Sequence, residues 1–107
     1  MQNTNFHTKI MMVLHNGRAV DGDLYDTAFT LAKDCIGYLL TCDYLDESEK
    51  FSAEDLCGDD NWEKWTRTQR REVGRCIFSM AEKGILPLEP VGCEDKHTTP
   101  MKYRLKK

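Results

Sequence analysis

Between Leu24 and Leu45 apolar side chains return at Leu24, Ala28, Leu31, Cys35, Tyr38, Cys42 and Leu45, in alternating steps of four and three. That spacing is one face of an α-helix and fits no alternating strand. Tyr25, Phe29, Ala32, Ile36 and Leu39 lie alongside, so the apolar stripe is wide. Such a helix needs cover on more than one side, commonly from the core of its own domain and otherwise from a second copy. The heptad-like run is the seam on which a homodimer would close. A chain of 107 residues that is 40% hydrophobic builds one core around this helix. It is read as a single domain over 1–107, with an N-terminal extension at 1–23 and a core at 24–105.

Punctuation marks divide the rest of the chain. Ile10 to Leu14 followed by Asn16-Gly17 reads as a strand entering a tight turn or as a helix capped by glycine, with the helix preferred. Asp21-Gly22-Asp23 supplies a turn and an N-cap for the long helix. Ser52 and Asp55 form a capping box for a short helix, Ala53–Cys57, which Gly58 ends, and Asp59-Asp60-Asn61 leads to Trp62 and Trp65 as anchors of a turn. A second box, Thr66 with Gln69, opens a helix over Thr66–Lys83 whose buried face carries Val73, Ile77, Met80 and Ala81, and Gly84 stops it. Leu86–Val91 and the alternating Met101–Leu105 are expected to pair as an antiparallel hairpin. Trp62, Trp65, Val73, Ile77, Met80 and Leu105 should then share one core with the helix at 24–45.

Several function classes find no support. The five cysteines are odd in number and contain no CxxC pair, which argues against a disulfide framework and for reduced thiols in a cytosol. Cys93 and His97, with Cys57 or Cys76, lack the paired spacing of a zinc site, so no metal or other cofactor is expected. His7, His15 and His97 belong to no local nucleophile signature, and no glycine-rich phosphate loop is present; no catalytic residue is assigned. The apolar stretch at 10–14 is too short for a signal sequence or a membrane span.

The order of elements is long helix, short extended segment, short helix, turn, basic helix and hairpin. With the Phe51-Ser52-Ala53-Glu54-Asp55-Leu56 opening and the Gly84-Ile85-Leu86-Pro87-Leu88 exit, this order resembles the winged helix-turn-helix superfamily. The fold it implies is α+β, mostly α, with three or four helices and a C-terminal β-hairpin wing. The segments Leu56-Cys57-Gly58, Gly74-Arg75-Cys76 and Tyr103-Arg104-Leu105-Lys106 are also similar to small proteins of bacterial prophages and mobile elements. On the 66–84 helix, Arg67, Arg71 and Arg75 follow one another at steps of four, opposite Val73, Ile77 and Met80. The superfamily resemblance implies that such a helix enters the major groove of duplex DNA, with Arg67, Arg70, Arg71 and Arg75 as base and phosphate contacts. It gives Lys102 and Arg104, with Lys96, Lys106 and Lys107, to the wing.

Charge supplies a second hypothesis. Residues 1–63 carry four basic and thirteen acidic side chains, whereas residues 64–107 carry eleven basic and five acidic. Blocks of one sign mark candidate partner surfaces. The alternative to a DNA-binding accessory or regulatory protein is therefore an inhibitor of the immunity or anti-defence kind. It would set Asp43, Asp46, Glu47, Glu49, Glu54, Asp55, Asp59 and Asp60 against a basic protein such as a nuclease.

Overall fold

A computed structural model describes residues 11–14, 17–42, 49–92 and 101–106. The chain opens with two strands, β1 (Met11–Val13) and β2 (Ala19–Asp21), and continues into α1 (Gly22–Leu40). The segment preferred as a helix at 10–14 is thus a strand over its described residues. Met12 faces Val20 across an antiparallel pair, and Gly17 turns the chain at φ +84°. Five apolar residues are too few for a stable helix of their own, whereas pairing satisfies their backbone groups and brings Leu14 and Val20 into the core.

Asp21 ends β2 and caps α1, its Oδ1 accepting the Asp23 N–H at 2.8 Å. The buried side of α1 is Tyr25, Ala28, Ala32 and Ile36. The expected run meets it at Ala28 alone: Leu24, Leu31 and Cys35 are half-buried and Tyr38 is 73% exposed. That run marks a flank of the stripe, and Leu45 lies outside the described residues. Two small side chains, Ala28 and Ala32, let α1 come close to its neighbour, which sets the centre of the contact. The helix ends at Leu40, short of the expected Leu45. The Thr41 and Cys42 N–H groups bond to the carbonyls three residues back, tightening the last turn, and the Thr41 hydroxyl donates to Tyr38 O at 2.7 Å.

After the two-residue strand β3 (Phe51–Ser52) come α2 (Ala53–Cys57), α3 (Asp59–Lys64) and α4 (Arg67–Glu82). Both capping boxes form as their sequences require: Ser52 with Asp55, and Thr66 with Gln69. A turn was expected at 59–61, and α3 is the finding there. Gly58, at φ +93°, breaks the chain between α2 and α3. The Asn61 side-chain amide donates to Cys57 O at 2.9 Å, satisfying a carbonyl at the end of α2. Asp59 and Asp60 then lie in the first turn of α3, where the helix dipole favours negative charge.

A full Schellman motif closes α4. Gly84 adopts φ +74°, its N–H bonds to Ala81 O at 3.2 Å, and the Ile85 N–H bonds to Met80 O at 2.8 Å. The chain then returns as β4 (Leu88–Gly92) and β5 (Lys102–Leu105). The antiparallel sheet has the order β3-β5-β4, with Phe51 opposite Tyr103 and Glu89 opposite Arg104. The hairpin begins two residues later than the expected Leu86, which is buried ahead of it. A single core unites Val73, Cys76, Ile77 and Met80 of α4, the inner side of α1, Leu56, Leu86, Leu88 and Tyr103, with Trp62, Trp65 and Leu105 partly buried against it. All six residues expected to share that core do so. Among the described residues no helix is long and apolar enough to cross a membrane.

This core has a pH signature. Burial pushes the Cys57 and Cys76 thiols up from 9.0 to about 12, aided by Cys35 and Cys76 beside the first and by Glu72 beside the second. Burial, with Glu82 nearby, also raises the Tyr103 hydroxyl. Above pH 9 the unfolded chain releases thiol protons that the folded chain retains, so the contribution of these thiols to stability is constant below that point and is lost as pH rises toward 12. Urea unfolding from pH 7 to 11 should show a loss approaching about 1.4 kcal/mol per pH unit for each thiol. Replacing Cys57 or Cys76 by alanine should flatten the slope even where it lowers the plateau.

Candidate nucleic-acid interface

The inward side of α4 is fully committed to the core, which leaves its outer side to solvent. Arg67 and Arg71 are exposed and Arg75 is half-exposed. At about 100° per residue the three span a sector of roughly 80° along roughly 12 Å of helix. None makes a hydrogen bond or ion pair with another described residue. Thr68, also exposed, falls beside the same sector. Further along this side stand Phe78 and Glu82, so the basic surface belongs to the N-terminal half of α4. Glu72 follows Arg71 and stands three residues before Arg75, so the sector is basic without being free of carboxylates; among the described residues none of its three arginines forms an ion pair.

Two arginines of the expected set are engaged elsewhere. Arg70 lies about 100° around the helix from Arg71, at the border of the buried side, and its Nε–H donates to Trp62 O at 2.8 Å. Arg104, opposite Glu89 in the sheet, places Nη2 3.1 Å from the Glu89 carboxylate. Lys102, half-buried, follows Met101 at the start of β5, and Lys106 is exposed just past its end. Lys96 and Lys107 lie outside the described residues. Helical spacing already set Arg70 apart from the other three arginines, whereas the Glu89–Arg104 pairing required the register of the hairpin.

Of the acidic set, every member within the described residues is exposed: Glu49, Glu54, Asp55, Asp59 and Asp60. Asp43, Asp46 and Glu47 lie outside the described residues. Asp55 accepts the Ser52 N–H at 2.9 Å, and Asp59 and Asp60 serve the first turn of α3. Asp55 is thus engaged in a capping box, while Asp59 and Asp60 complement the α3 dipole without a capping bond.

Three of the cysteines have raised thiols, and Cys42 is free and half-buried. Cys57 and Cys76 are buried in the core as protonated thiols. Cys35, half-buried, donates to Asp55 O at 3.9 Å, and burial raises its thiol as well. Among the described residues no group of three His, Cys, Asp or Glu side chains could hold a metal ion; Cys93 and His97 lie outside them.

A family described as Domain of unknown function (DUF1413) matches residues 39–101, more than half of the chain. The chain belongs to this family. The DUF1413 match runs from the end of α1 through β3, α2, α3, α4 and β4, so it contains all four arginines of the α4 region. The β1–β2 hairpin, most of α1 and the strand β5 lie outside it. No curated protein and no solved structure matches the chain.

The Glu89–Arg104 pair supports a quantitative expectation. Both side chains are about half-exposed, and such cross-strand pairs contribute at most about 1 kcal/mol. A double-mutant cycle with E89Q and R104Q, read by urea unfolding, should return a coupling below about 1 kcal/mol that shrinks as salt is added.

Proposed function

We propose that this chain is a small, non-enzymatic DNA-binding protein of winged-helix type, acting in the cytoplasm as an accessory or regulatory factor of the mobile-element kind. In this reading α4 enters the major groove and β4–β5 forms the wing. The observation that carries it is the arginine sector of α4, whose three side chains form no ion pair among the described residues. A major groove about 12 Å wide admits a helix, and guanidinium groups recognise phosphates and the acceptor edge of guanine. The element order and the sheet order β3-β5-β4 favour the same reading, because they set a two-stranded ribbon after the basic helix. The net charge of −3 is unfavourable for long-range attraction, which makes the local sector the site of contact.

Titration against random duplex DNA at two salt concentrations tests the proposal. Each phosphate contact contributes about 0.9 to the slope of log K against log salt. Replacing Arg67, Arg71 and Arg75 together by alanine is therefore expected to weaken binding at least about tenfold at low salt and lower the slope by up to roughly 2.7. Charge reversal of Asp46, Glu49 and Asp59 should leave binding unchanged or tighter. Absence of binding by the natural chain, or a triple variant that binds with its slope intact, would overturn the reading. Loss of association with a basic protein on the acidic reversals alone would replace it with the inhibitor hypothesis.

A further inference from the structure

The turn between α3 and α4 consists of Trp65 and Thr66, both extended. The Thr66–Gln69 box orders the first turn of α4 but bonds only within that segment. Arg70 reaches across. Its Nε–H meets Trp62 O at 2.8 Å, and the same carbonyl accepts the Trp65 N–H at 3.2 Å. Both lone pairs of this carbonyl in the last turn of α3 are thus filled, one by the turn and one by a side chain of the next helix. The Trp62 and Trp65 rings meet edge to face, with centroids 5.9 Å apart at 73°, and both pack on the core. An extended turn of two residues has many available φ/ψ combinations, and a bond from Nε to a specific carbonyl selects among them.

We propose that Arg70 is a positioning residue of the α4 surface rather than one of its DNA contacts: it sets the angle between α3 and α4, and hence the presentation of Arg67, Arg71 and Arg75. The proposal rests on the DNA-binding reading. Its chemical content is that the donor at Nε matters and the charge does not. Glutamine offers a direct separation of the two, since its amide nitrogen is bonded to Cδ as Nε is in arginine. R70Q keeps an N–H at the required place and removes the charge, whereas R70M keeps comparable bulk and removes both.

Salt-dependent binding to duplex DNA should be measured for the natural chain, R70Q, R70M and, as a contact control, R71Q, with exchange of the Trp65 amide hydrogen followed in the free proteins. R71Q is expected to lower the slope by about 0.9. R70Q should stay within about twofold of the natural chain at both salts with the slope unchanged, as expected when no released counterion is lost. R70M should bind several-fold more weakly, again with unchanged slope, and exchange its Trp65 amide faster, a signature of a loosened turn. A slope reduced by about 0.9 in R70Q, matching R71Q, would make Arg70 a phosphate contact and overturn the proposal. Identical amide exchange in the natural chain, R70Q and R70M would overturn it equally, by showing that the bond positions nothing. Failure of the natural chain to bind DNA would remove the functional reading alone, and the exchange comparison would still decide whether Arg70 holds the turn.

Discussion

The contact between α1 and α4 is the constraint on which the other elements depend. Ala28 and Ala32 are fully buried on α1, and Val73, Cys76, Ile77 and Met80 are fully buried on α4. Burying an aliphatic side chain of this size stabilises a fold by about 1.5–3 kcal/mol. This contact fixes the rotation of the body of α4 from Val73 onward, and leaves the seating of its first turn against α3 to the Arg70 bond. With that rotation, Arg67 and Arg71 face solvent and Arg75 is partly buried. The Schellman motif at Gly84 then sends the chain back so that Leu86 and Leu88 close the same core from the other end.

Part of the charge along the chain is taken up by local tasks. Asp21 caps α1, Asp55 completes a capping box, and Asp59 and Asp60 occupy the first turn of α3. On the basic side Arg70 binds a helix-terminal carbonyl and Arg104 pairs with Glu89. The sum of charges over a half-chain thus overstates what a partner would meet. Lys50, Lys64, Lys83 and Lys106 are exposed singly, whereas Arg67, Arg71 and Arg75 cluster on one side of α4 with no ion pair among the described residues.

Elements whose ends are written in side chains were readable before any coordinates. Ser52 with Asp55, Thr66 with Gln69, and Gly84 each specify a helix terminus through a hydrogen bond or a backbone conformation that few residues supply. The boundaries of α2 and α4 were legible for that reason. The strand at 11–13 and the helix at 59–64 were not, because each is short and depends on its surroundings: β1 on a partner strand, and α3 on a break at Gly58 and on packing of Trp62. The exact face of α1 was also obscure, since apolar residues surround more than half of that helix and hydropathy does not register that Ala28 and Ala32 permit the closest approach. Of the candidate site, helical spacing identified the arginine sector, while the partners of Arg70 and Arg104 emerged only from tertiary geometry.

The three-stranded sheet ends itself on both sides. At one edge β3 is two residues long, too short to template another strand. At the other, β4 carries Pro90, which has no N–H to offer, next to a register shift between Pro90 and Gly92. An extended peptide or a second molecule seeking to lengthen this sheet would find a broken ladder of donors. Recruitment by strand addition, a common route both to partner capture and to aggregation, is disfavoured at both edges of this sheet.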